Sequence, residues 1–419
     1  MKIQSAALLA CLLSQTAAFT AFIPSSRHDH AAYITRCSAS KNEANDKKRR
    51  TLFDLAATLP FLGRRDANAA ATSAAANVNN DGPIADFPMR RLQLPKGGIG
   101  RSYILIQLYI QNTGPYDFMV DSGLTTELIT PHLQSLLHLP NAGVSKQGLS
   151  AGAVGVTQSL VELKNVSLCG SSGSGEERFD LPPLTAIVTD FPQEHMDPSH
   201  DPVEGMLGME VLEQFDVDFD FPMNRLRLWR PGSFDKVAKN VEGMAAIDAV
   251  VVNETRLLGF RVASADVKGK DGEVSTQPYL GLVDCGSSFS IVNWAAAPYL
   301  GLPPKGDAAY QKNPQVQGMG VDGLPQVLPT YKVQLSYVGD PVQASQQTMT
   351  FQSPAAGWKA WDPISIAIGD LPVFTQLLGD GRTPYKGPAG IIGLDVLSQR
   401  RVALETSSGR KRKIWVGKS

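Results

Sequence analysis

An all-β protein of two similar lobes, related by a pseudo-twofold axis, is what this sequence predicts. From residue 100 onward the chain repeats itself in order. Its apolar stretches are short and bounded by turn residues, with 38 Gly and 28 Pro, a balance that favours strands and turns. Heptad stretches and long helical patterns are hard to find. The 419 residues suffice for two domains with cores of their own, and 43% apolar with 19% charged residues is ordinary for a globular protein.

The repeat holds register closely. Pro115-Tyr116 precedes Asp121 by the interval at which Pro278-Tyr279 precedes Asp284. Each Asp ends an apolar strand, Phe118-Met119-Val120 or Leu280-Gly281-Leu282-Val283. Gly follows two positions on, then polar residues, then an apolar pair, Leu128-Ile129 or Ile291-Val292. Leu137-His138-Leu139-Pro140 and Leu300-Gly301-Leu302-Pro303 both close 19 residues after the Asp. Further on, the segment 205–212 lines up with 390–397, and each is followed by a strand, a turn and a closing strand, 225–229 or 412–416. Asp121 to Gly208 spans 87 residues and Asp284 to Gly393 spans 109, so the second copy should carry its surplus in loops.

An Asp-x-Gly turn after a buried strand fixes a carboxylate against a rigid core, and Gly123 and Gly286 leave room for close approach. Two such turns related by a twofold axis bring Asp121 and Asp284 face to face. Carboxylates that close cannot both ionise and must share a proton. One can then act as general base on a water while the other protonates a carbonyl.

Val120-Asp121-Ser122-Gly123 and Val283-Asp284-Cys285-Gly286-Ser287-Ser288, each joined later by Met206-Leu207-Gly208 or Ile391-Ile392-Gly393, resemble pepsin-like and retropepsin-like aspartic peptidases. The likeness runs over about residues 86 to 418. It implies acid-protease-type β-barrel lobes with a cleft between them, an extended peptide or protein substrate, no cofactor and no metal, and Asp121 and Asp284 as the catalytic pair. The resemblance assigns loop support to Ser122, Gly123, Thr125, Cys285, Gly286 and Ser287. The family's residue after the Asp carries a hydroxyl that locks the two loops; Ser122 has one, whereas Cys285 is a poorer hydrogen-bonding group. The residue after Gly offers a hydroxyl to the carboxylate; Ser287 fits and Leu124 does not, leaving Thr125 as a substitute. Flaps are expected at Gln147 to Gly155 and Gln317 to Gly323. A non-catalytic peptide-binding protein on the same scaffold is the alternative, and a monomer is expected.

Charge is uneven along the chain. Ten Lys/Arg and five Asp/Glu fall in the first 70 residues, leaving 29 against 35 in the body. An acidic body argues against nucleic acid as a partner. Residues 1–18 have the layout of a signal peptide, too short to span a membrane. Residues 19–48 are rich in Ser, Ala, Arg and Lys, and resemble a plastid transit segment. In 49–70, Arg49-Arg50 before a short apolar run and Ala67-Asn68-Ala69 resemble a twin-arginine lumenal signal. This order implies delivery to the thylakoid lumen and a mature form with no stable membrane anchor; a secretory signal with a propeptide is the alternative. Residues 71–85 read as a disordered linker, 86–232 as the first lobe and 245–418 as the second, joined around Pro231 to Val241.

Other chemistry is less well supported. The alternation in Phe215-Asp216-Val217-Asp218-Phe219-Asp220-Phe221 predicts a half-buried strand with its acids on the wet face, not a calcium loop, which would need a Gly and a distant Glu. The six His residues are scattered and none offers a recognisable base for a Cys285 nucleophile. Cys169 reads as an inert small hydrophobe, and Arg410 to Lys413 as a solvated turn. Asn165 and Asn253 begin glycosylation sequons, which matter only in the secretory pathway.

Overall fold

Strand-forming sequence dominates the body because β-branched and aromatic residues recur in short runs; Tyr103–Ile110, YILIQLYI, is buried along most of its length. The computed structural model describes residues 82–93, 100–142, 145–147, 157–172, 175–189, 201–252, 255–265, 273–274, 276–319, 325–344, 349–406 and 411–419. All of them lie in one compact unit. The leader segments, most of the linker, Asn253, His195 and His200 lie outside these residues.

The fold is all-β with a few short helical turns, as the repeat predicts. Two large sheets follow one plan. In the first, strands run in the order Ser145–Gln147, Thr157–Leu163, Leu184–Val188, Glu127–Ile129, Val203–Leu207, Thr113–Val120, Tyr103–Ile110. In the second the order is Gln315–Met319, Pro325–Val333, Ile364–Ile368, Ile291–Val292, Ala389–Ile392, Tyr279–Val283, Leu258–Ser264. Position by position these correspond, including the parallel pairings. Thr113–Val120 lies parallel to Val203–Leu207, with Val120 opposite Leu207; Tyr279–Val283 lies parallel to Ala389–Ile392, with Val283 opposite Ile392. The tips of the two hairpins expected to act as flaps, 148–156 and 320–324, are outside the described residues.

A six-stranded antiparallel sheet draws on both halves, in the order Ala85–Pro88, Arg225–Trp229, Asp216–Asp220, Val402–Leu404, Lys413–Gly417, Met244–Asp248. The order reads the same from either end once the repeats are superposed. Its centre is the pairing of Val217, Asp218 and Phe219 with Leu404, Ala403 and Val402. Ala85, at the edge of the expected linker, already pairs with Leu228. The joining segment forms two short turns, Phe234–Lys236 and Ala238–Val241.

Two expectations need correction. The strand Asp216–Asp220 forms, but its acids do not face water: Asp216 and Asp218 are fully buried and Asp220 nearly so. Arg401 donates to both oxygens of Asp218, at 2.8 and 2.7 Å, while Arg227 bridges Asp218 and Asp220. Asp216 accepts from the Ser233, Phe234 and Thr406 N–H groups. Period-two patterning reports which face a side chain takes, not what later covers that face. The second half also forms the helix Pro372–Leu378 and a three-stranded sheet of Glu273–Val274, Met349–Gln352 and Pro341–Ala344. Lys413 of the basic run opens the strand Lys413–Gly417 and pairs with Asp248 at 3.2 Å, so the run is not simply a solvated turn.

Candidate functional site

Asp121 and Asp284 each sit one residue past a buried strand whose parallel partner anchors them. The Asp121 N–H donates to the Leu207 carbonyl at 2.9 Å, and the Asp284 N–H to the Ile392 carbonyl at 3.0 Å. Each carboxylate folds back over its own turn. Gly123 N donates to Asp121 at 2.8 Å and Gly286 N to Asp284 at 2.9 Å. The next N–H groups, of Leu124 and Ser287, also donate to these carboxylates.

The two turns meet in a crossed arrangement. A Cβ on Gly123 would lie 2.5 Å from Cγ of Asp284, and one on Gly286 would overlap the Asp121 carboxylate. Each glycine is therefore the floor on which the opposite carboxylate rests. Asp121 and Asp284 are 3% and 4% exposed, and a hydrogen bond joins their side chains. Burial pushes Asp121 up to about 6, against the lowering pull of the Gly123 N–H. Burial, then the charge of Asp121, holds Asp284 well above the usual carboxylate range. The pair holds a proton as a unit.

Ser122 and Cys285 lock the turns to each other. Ser122 Oγ accepts from Cys285 N at 3.0 Å and donates to the Val283 carbonyl at 3.1 Å. In mirror image, Cys285 Sγ accepts from Ser122 N at 3.2 Å and donates to the Val120 carbonyl at 3.3 Å. The thiol thus fills the place where a hydroxyl was expected, and the second loop does not lose its tie. Burial pushes this thiol up to about 12; it keeps its proton as a donor, which also counts against a thiolate nucleophile.

Ser287 departs from expectation. Its hydroxyl donates to the Phe289 carbonyl at 2.8 Å rather than serving the Asp284 carboxylate. Carboxylate support comes from backbone N–H groups in both turns, so Leu124 leaves Asp121 supported. Thr125 is half-buried in the first turn. Among the described residues no group of three or more His, Cys, Asp or Glu is placed to hold a metal ion, and no helix is long and apolar enough to cross a membrane.

Two residues escaped the sequence reading. Glu127 is 1% exposed, seven positions into the segment that starts at Asp121, and its carboxyl is hydrogen-bonded to that of Glu210. The signal was in the repeat, where Glu127 and Glu210 stand opposite Ser290 and Asp395.

Residues 106–211, from within the strand Tyr103–Ile110 to the helical turn after Gly208, match a family model described as aspartyl protease. Over this stretch the chain is similar to that family. No curated protein matches the chain. Solved structures similar to this chain include conglutin gamma, a basic 7S globulin from lupine seeds (9% identity, 81% of this chain and 96% of that one, TM-score 0.40). Basic 7S globulin from soybean (10%, 80% and 94%, TM-score 0.40) and an aspartic proteinase from Irpex lacteus (13%, 80% and 97%, TM-score 0.38) are similar to the same degree. Likenesses this distant speak to neither activity nor substrate.

Proposed function

We propose that this chain is an aspartic endopeptidase in which Asp121 and Asp284 activate a water against a peptide carbonyl. The observation that carries the reading is the crossed packing of each carboxylate on the opposite glycine. It gives two buried carboxyl groups holding one proton, the state in which one member takes a proton from water and the other gives one to the carbonyl. Two lobes in one chain supply the whole pair, so a monomer suffices. An extended peptide or protein chain is the substrate class this reading implies.

Asp121→Asn and Asp284→Asn should each lower kcat on a peptide substrate by at least about 10²–10⁴-fold, the usual worth of acid–base groups, while the fold persists. The pH dependence has a definite sign. Below about 6, where Asp121 takes up a proton, the pair becomes doubly protonated and the base is lost, so kcat/KM should fall as pH drops through that value. Substantial cleavage by either variant would overturn the mechanism. A non-catalytic peptide binder is the rival, and Leu124, which offers no hydroxyl to Asp121, is the residue in its favour. A wild-type chain that binds peptides without cleaving them would establish it.

For localisation we propose the thylakoid lumen of a plastid, on the order of the three leader segments. A reporter fused after residues 1–71 should reach that compartment, and changing Arg49-Arg50 to Lys-Lys should stop the last step. Delivery of the reporter to the medium would favour the secretory alternative.

A further inference from the structure

Beyond the catalytic turns, the two halves solve one bonding problem with different chemistry. In the second half Ser290 Oγ donates to Asp395 Oδ1 at 2.6 Å and accepts from Gly393 N at 3.0 Å. Asp395 also accepts from the Val396 N–H. A hydroxyl and a carboxylate thus tie the segment after Asp284 to the turn Leu394–Leu397. In the first half the same two positions hold Glu127 and Glu210. Glu127 Oε1 accepts from Val211 N at 3.0 Å, and Val211 is the counterpart of Val396. The equivalent N–H is therefore satisfied in both halves, by a carboxyl from the turn in one and from the strand in the other.

A hydrogen bond between two carboxyl groups requires a proton, because ionised carboxylates only accept. We propose that Glu127 and Glu210 hold one shared proton in place of the Ser290 hydroxyl, tying the loop that carries Asp121 to the turn Met209–Leu212. Glu127 is then a positioning residue for Asp121. That role rests on the peptidase reading; the shared proton does not. The turn grips the loop a second time, since Met209 N donates to the Leu124 carbonyl at 2.7 Å. Loss of the carboxyl tie would leave the turn held by that bond and by the buried Met209, Val211 and Leu212.

Burial and the neighbouring Glu210 charge push Glu127 up to about 8. No Lys or Arg occurs in the packed segments 127–129, 184–188, 203–207 and 209–212. The other acid there, Glu204, is bonded to Thr130 and His132, and Asp121 lies at the start of the same loop. The folded chain retains a proton that the unfolded chain releases near the ordinary value of 4.5. Stability from the pair is therefore full below that value, declines as pH rises from it to about 8, and falls no further beyond.

The test is a side-chain carboxyl NMR titration of the full chain carrying ¹³C-labelled Glu, with thermal unfolding across pH. In wild type one Glu carboxyl should titrate at least about two pH units above the others. Glu127→Gln supplies a donor without a charge; it should remove that titration and flatten the decline in unfolding midpoint between about 4.5 and about 8. Glu210→Gln should bring the Glu127 titration back toward the ordinary range. Glu127→Ala should lower kcat with KM little changed, and Glu127→Gln should recover most of the loss. Ordinary titration of every Glu, or survival of the high one in Glu127→Gln, would overturn the proposal. A wild-type chain that cleaves nothing would end the peptidase reading and leave this pair to be judged by its titration.

Discussion

At Cys285 a thiol accepts from one loop and donates to the other, as Ser122 does in mirror image. Sulfur is a weak donor and acceptor, and its bonds are longer than those of a hydroxyl. Cys285→Thr keeps the volume nearly constant and restores a hydroxyl between Ser122 N and the Val120 carbonyl. It should raise stability by about 0.5–1.5 kcal/mol, the net worth of one hydrogen bond. Cys285→Ala strands a buried N–H and a buried carbonyl, and should cost about 1–3 kcal/mol. Thermal unfolding of both variants beside wild type checks this; a midpoint for Cys285→Thr below wild type would mean that the thiol's size, not its bonding, is what the site needs. Cys285 was legible in the sequence as a departure. Its bonding was not, because the partner groups are 163 and 165 residues away.

The recurring element is a strand, an Asp-x-Gly turn, a short strand, and a distant Gly-led helical turn that closes over the first turn. Gly208 and Gly393 serve the closing step, since a Cβ on either would collide with backbone, the Leu124 carbonyl in one half and Phe289 in the other. Gly123 and Gly286 serve the meeting of the two copies. A methyl on Gly123 would press into the Asp284 carboxylate, forcing the turns apart. Gly123→Ala should therefore cost about 1–3 kcal/mol as overpacking and remove most peptide hydrolysis. Unfolding midpoints and initial rates measured together test it; unchanged kinetics would show that the turns do not meet as described. The same element explains why Glu127 and Glu210 were missed. Either residue alone reads as a surface acid, and only their common opposition to Ser290 and Asp395 hints at a pair.

Across the whole molecule, the six-stranded sheet joins the halves through buried ionic contacts. Asp218 from the first half is fully buried and takes two hydrogen bonds from Arg401 of the second. Removing one partner of a buried pair leaves a charge uncompensated. Arg401→Met should cost toward the low end of about 3–5 kcal/mol, because Arg227 still reaches Asp218. Chemical denaturation checks the value, and a loss within about 0.5 kcal/mol, as for a surface substitution, would contradict it. A large hydrophobic cluster also runs from Ala85 to Val416 through residues of both sheets, so the halves should unfold together.

The sequence by itself determined the all-β class, the duplication, and the pairing of Asp121 with Asp284. These follow from local periodicity and from register, which a repeated chain displays twice. Tertiary structure alone decided how the acids of Asp216–Asp220 are buried, which group Ser287 serves, and that Glu127 meets Glu210. The physical reason is common to all three: hydrogen-bond and ion-pair partners are chosen by proximity after folding. A pattern of periods carries no record of which distant arginine, carbonyl or carboxyl will arrive.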